Sequence, residues 1–292
     1  MPRVRNLPLL IVSLALSGAA ALSIHVGMLS AGIPFPQFAP PRWAVWLLQA
    51  GVAGALLVIL ALARPRLAPL RFGRRVLLAW VIVLTVQETF RGAIMAGVTT
   101  NAWLYSFAQM VPGLIEALAL AIFACIAVRF VHGAVSLVLA AMAGGAFCLG
   151  AMLGIARLAA PALERIESLA RPSLYDFPYP ITVMIRAYLT FAEAVIGATL
   201  VAALVWNRLP GTPLVRAAAL GLIVATLKGV VQICFLFSAF GPRSYGAAVV
   251  SSSPFLLEFL ALGMLTGLAW HRFGSGAKET VRRQGEYATG SR

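Results

Sequence analysis

The sequence predicts an all-α polytopic membrane protein of eight transmembrane helices with both termini in the cytoplasm. Three observations carry that expectation. Hydrophobic residues make up 61% of the chain and charged residues 11%, with a mean hydropathy of +0.92; soluble domains carry roughly 25% charged residues. The apolar residues come in runs of about 20, the length that crosses a bilayer as a helix. Basic residues gather in alternate connections. With eight spans, the segments assigned to the cytoplasm hold 15 Lys and Arg, the outer segments five and the spans three. That bias is the positive-inside pattern. It accounts for the net charge of +14 without a nucleic-acid partner. Arg outnumbers Lys 21 to 2, which suggests a GC-rich bacterium and places the protein in a bacterial inner (plasma) membrane, with the lipid bilayer as its first partner.

The first span follows Arg3 and Arg5 and runs from Leu7 to about Ile33. It is too long for a signal-peptide core, so an uncleaved span is expected. Pro34, Pro36, Pro40 and Pro41 end it, and Trp43 and Trp46 suit an interfacial aromatic belt. A second span, about Trp43 to Ala63, leads into a loop with Arg64, Arg66, Arg71, Arg74 and Arg75. No other segment marks topology so strongly. The third span, Arg74 to Val98, ends at Thr99-Thr100-Asn101, and the fourth covers about Trp103 to Val128. Arg129 and His132 mark a tight turn into the fifth, Val131 to about Ala156. Leu163, Ile166 and Leu169 then recur at helical spacing, predicting a short interfacial helix in an outer segment near 160–179. The sixth span is about Pro180 to Trp206, the seventh about Leu214 to Phe240 and the eighth about Ser251 to Trp270. The basic tail, 275–292, is expected to be disordered in the cytoplasm.

An internal duplication is expected, a parallel tandem repeat that would divide the chain into four-helix halves, 1–129 and 130–274. Pro112-Gly-Leu-Ile-Glu116 matches Pro254-Phe-Leu-Leu-Glu258 at an offset of 142. An offset of 141 lays Thr85 on Thr226, Gln87 on Lys228 and Arg91 on Gln232. Four spans per unit insert both halves in the same sense.

Charges inside spans are costly and need partners or water. Glu88, Arg91, Glu116, Arg186, Glu193, Lys228 and Glu258, with the polar Gln232, are therefore the candidate residues for binding a substrate or ion. At 1.5 Å per residue, Glu88 and Arg91 lie about 20 and 24 Å beyond Arg75, and no intraspan charge falls in the inner half. This segregation suits a polar cavity open to the outer face. Glu88 and Arg91, three apart, can pair across one turn. Lys228 has no partner on its own helix, and Arg186 and Glu193, seven apart, share a face that can meet it. Glu116 and Glu258, each four residues after a proline, form a pair of candidate carboxylates for a cation or proton. Gly150 and Gly154 make a small-xxx-small step suited to close helix packing.

Chemistry of other kinds finds little support. Cys125, Cys148 and Cys234 show no metal-ligand or CxxC spacing, so no metal, cofactor or disulfide is expected. The string Gln87-Glu88-Thr89-Phe90-Arg91-Gly92 resembles, over six residues, the Glu-Glu-x-x-x-Arg-Gly or Glu-Glu-x-x-Lys motif of intramembrane proteases related to CAAX endopeptidases. That resemblance implies a protease, but Gln replaces the first Glu and the family's later histidines are missing. His25, His132 and His271 are the only ones, and all read as lying near span ends. No catalytic residue is assigned, and a non-enzyme is expected. The leading expectation is a small secondary transporter or permease handling a small solute, a lipid, or a proton or cation. An assembly or anchoring subunit with a membrane partner is the alternative. A third reading is an intramembrane enzyme processing lipid or peptide, with Glu88 as acid or base.

Overall fold

A computed structural model describes residues 6–274; the expected basic tail 275–292 and the residues before Asn6 lie outside the described residues. Every regular element among the described residues is helical. Seven helices are long and apolar enough to cross a membrane, and the chain is a multi-pass membrane protein. The first are α1 (Leu7–Ser30) and α2 (Arg42–Leu62), joined by the proline-rich loop. A single turn, α3 (Arg64–Leu67), leads to α4 (Phe72–Gln87), which continues after one residue as α5 (Thr89–Thr100). Two long helices follow, α6 (Trp103–Ala127) and α7 (Ala134–Arg165). The sixth crossing is α8 (Ile181–Thr190) with α9 (Ala192–Val205). Then come α10 (Pro213–Lys228), the short α11 (Val230–Phe235) and α12 (Tyr245–Phe273).

The connections fall at two ends of the bundle. At one end Arg64 donates to the carbonyls of Val128 and Val131, at 2.5 and 2.8 Å, and Arg66 donates to Leu204 O at 3.2 Å. The backbone N–H of Asn6 donates to Phe273 O at that end as well. These arginines satisfy carbonyls left open where helices finish, and positive charge suits a helix C-terminus. At the other end Ala39 N donates to Phe240 O and Leu174 N to Thr99 O.

Two groups of helices face each other. On one side α2, α6 and α7 pack together; on the other α1, α9 and α12 do so. Between them α4 is wedged against α6 and α9, and α10 against α12 and α2, so that α4 and α10 touch at the centre. Apolar burial does not drive helices together in lipid, so small residues and close backbone approach do. Ala53, Ala79, Ala121, Ala194, Ala217 and Ala225 are fully buried in that core. Leu104, Leu139, Leu158 and Leu189 point outward, where bilayer meets protein.

The third span is not one helix. It breaks at Glu88, which adopts the left-handed conformation (φ 56°, ψ 44°). The seventh run breaks in the same way at Gly229 (φ 84°). Both α4 and α10 are 16 residues long, ending on Gln87 and Lys228. Elsewhere α7 passes through Pro161 to Arg165, well beyond Ala156. The predicted interfacial helix is reduced to a turn at Glu167–Leu169. Gly150 and Gly154 have open space where a side chain would project, so neither is a packing glycine. That role falls to Gly145, where an added Cβ would meet Ala50 N at 2.7 Å and Trp46 O at 2.8 Å.

Candidate functional site

The two breaks meet. When α4 stops at Gln87, its last carbonyls lose their partners, and when α5 restarts at Thr89, its first N–H groups do. Side chains from other helices take up three of these groups, the N–H of Phe90 and of Arg91 and the carbonyl of Gln87. Glu193 on α9 accepts from the backbone N–H of Phe90 (3.1 Å) and of Arg91 (2.6 Å), placing a carboxylate at the positive end of α5. Lys228 Nζ donates to the open carbonyl of Gln87 at 2.8 Å. In the other direction, Gln87 Nε2 donates to the carbonyl of Leu227 at 2.6 Å, at the end of α10. Each broken helix thus caps the other.

Glu88 sits at the centre of this exchange, 8% exposed. One carboxylate oxygen accepts from Arg91 Nη1 at 2.6 Å and the other from Lys228 Nζ at 2.7 Å. The left-handed turn is what lets one residue reach both cations. Aromatic faces back the pair: Lys228 Nζ lies 5.0 Å from the Phe259 ring centre and Arg91 Cζ lies 5.1 Å from that of Phe191. Two carboxylates, Glu88 and Glu193, and two cations, Arg91 and Lys228, therefore balance within one cluster, in which Glu88 is buried and the other three are half-buried.

Two cavities flank the cluster, and Gln87 and Lys228 line both. The first, of 380 Å³, carries Glu116 with Gln49, Thr89 and Cys148 on its wall. The second, also 380 Å³, carries Glu88, Arg91, His25 and Glu258. Glu258 is 2% exposed, and its Oε1 has no hydrogen-bond partner. His25 Nδ1 lies 2.9 Å from Glu258 Oε2, close enough for a charge contact but without hydrogen-bond alignment.

Of the eight residues picked from the sequence, four form the cluster: Glu88, Arg91, Glu193 and Lys228. Glu116 and Glu258 each line one cavity beside it. Gln232 folds over Gly51, with its Oε1 buried and unpaired. Arg186 is exposed on α8 and lines neither cavity. His25 is the residue the sequence concealed. It lies inside α1, one turn before its end, and only its proximity to Glu258 gives it a role. A lone histidine in an apolar run next to an unpartnered carboxylate elsewhere was the available signal.

Fold and cluster together define the class: a helical multi-pass membrane protein with paired charges buried at its centre. No protein family, curated protein or solved structure matches the chain.

Proposed function

We propose that the chain is a small secondary transporter or permease of eight spans, with both ends in the cytoplasm of a bacterial inner membrane and two four-helix halves related by a parallel repeat. One observation carries the reading: two broken helices cap each other and are flanked by cavities, one walled by the half-buried Glu116 and the other by the buried Glu258. Broken spans that meet between repeated halves are the usual setting of a transport site, because unwound backbone and helix ends supply polar groups inside the bilayer. The repeat gains support from four correspondences. At offset 141, α4 and α10 share both boundaries, Glu88 falls on Gly229, and Gln87 on Lys228. Thr85 and Thr226 each donate to the carbonyl four residues back, both at 2.7 Å. Counting Pro213–Phe235 as a broken crossing gives the eighth span.

Glu116 and Glu258 are the residues that take up the solute or a coupling proton, while the central cluster holds the halves in register. The test is solute-dependent proton flux in proteoliposomes with wild type, Glu116→Gln, Glu258→Gln and the double variant. Loss of flux in either single variant, with the fold intact, is the expected result. Folded protein without flux for any solute favours the second reading, a non-transporting assembly subunit. The self-sufficient pairing of Glu88, Arg91, Glu193 and Lys228 is the observation on that side, since such pairs can serve packing alone.

A further inference from the structure

The two cavities differ in their walls. Only that of Glu258 is aromatic: Phe35, Phe177, Tyr179 and Phe255 all line it. Phe35 and Phe255 stand 6.3 Å apart between ring centres, Phe177 and Tyr179 5.8 Å apart and nearly perpendicular, and the His25 ring packs edge-on to Phe255 at 4.4 Å. Below these rings lies the charged floor. Glu88 engages both Arg91 and Lys228, and Glu193 is held by backbone N–H groups, so four charges cancel. What remains is Glu258, with a buried, unpartnered oxygen and only the imidazole of His25 beside it.

We infer that this cavity binds a monovalent organic cation with an apolar body. The inference rests on the reading of the cavity as a solute site and names the solute's class. Aromatic rings lining a space beside a carboxylate can supply both attractions that an alkylammonium group uses, a ring face and a single opposite charge. The volume, 380 Å³, suits a small molecule. Arg91 and Lys228 also line the cavity but are engaged by Glu88, so an anion would meet Glu258 without a free cation to offset it and is disfavoured.

The experiment is calorimetric titration of the full chain in nanodiscs, with empty nanodiscs as blank. Three probes are compared: benzyltrimethylammonium, its uncharged isostere neopentylbenzene, and phenylacetate. The expected result is saturable binding of the cation alone. Glu258→Gln should weaken it more than about tenfold, the scale of a lost charge-assisted contact. Phe35→Leu and Tyr179→Leu, which lie on connecting loops, should weaken it several-fold. If Glu258→Gln fails to fold, these two loop variants decide. Absence of cation binding, equal binding of the isostere, preference for phenylacetate, or binding unchanged in the variants that fold would each overturn the inference. Cation binding without flux defeats the transport reading alone; flux of another solute without cation binding defeats this inference alone.

Discussion

At the scale of single residues, the centre of the protein is an ion cluster whose members cannot be removed one at a time. Glu88 bridges Arg91 and Lys228, at 2.6 and 2.7 Å. Glu88→Gln leaves two half-buried cations beside a neutral amide, and stranding a charge costs up to roughly 3–5 kcal/mol where it is buried. Lys228→Met should also destabilise, because Glu88 loses one of its two partners and the Gln87 carbonyl its donor. The double variant strands less charge than the two single losses suggest, so its cost should fall short of their sum by about 1–3 kcal/mol. Unfolding of the four proteins in mixed micelles measures that coupling, and strict additivity would remove Glu88–Lys228 as an interacting pair. The sequence made part of this visible. Glu88 and Arg91 are three apart, and a helix puts such residues together. Lys228 plainly needed a carboxylate from another helix, but its identity, Glu88, depends on a left-handed turn that nothing in the residue type demands. Glu193 was visible as a charge; its task as a cap was not, because no helix end was expected at Thr89.

Among elements, the lesson is that hydropathy reports where a span is and says little about its continuity. Leu, Val and Ile run up to Gln87 with no glycine or proline to announce a break, and Glu88 is an unusual choice for the left-handed region, which costs an L-residue about 1–2 kcal/mol. The break persists because partners on α9 and α10 take up the groups it frees. Gly229 had a more readable signal, since glycine enters that region without penalty. Helix packing shows the same limit. Among several glycines on α7 the spacing of Gly150 and Gly154 drew attention, yet Gly145 is the one against the backbone of α2, and Trp46 Nε1 donates to Met142 O, at 3.1 Å, one turn earlier. This helix turns most of its surface outward, and its buried residues are few: Gly144, Gly145 and Cys148. Docking of α7 therefore hangs on a narrow strip. Gly145→Leu should cost about 3 kcal/mol or more, as overpacking against backbone does, while Gly150→Leu should be near neutral. Thermal unfolding of both variants in detergent checks this; equal stability of the two would remove the close approach of α2 and α7 as a structural requirement.

For the whole molecule, the number of crossings turns on one segment. Seven helices qualify by length and composition, while α10 and α11, split at Gly229, do not form one uninterrupted span. If Pro213–Phe235 crosses, Gly211 and Arg243 lie on opposite sides of the membrane; if it dips in and returns, they share a side. The bonds at the two ends favour crossing. Arg66 ties the α2–α4 connection to the end of α9, next to Gly211, while Phe240, close to Arg243, accepts from Ala39 in the loop after α1. Single cysteines at Ala68, Gly211, Gln37, Asp176 and Arg243 sit on exposed connections, whereas Cys125, Cys148 and Cys234 are buried and should stay silent. A maleimide that cannot cross membranes, applied to intact cells, should label the substitutions at 37, 176 and 243. Those at 68 and 211 should react only after permeabilisation. Labelling of 211 together with 243 would reduce the count to seven and leave the halves without matching topology, so the parallel repeat would fall with it. Exchange of the two sets would instead keep eight spans and reverse the orientation, and the arginine bias would then need a cause other than cytoplasmic retention.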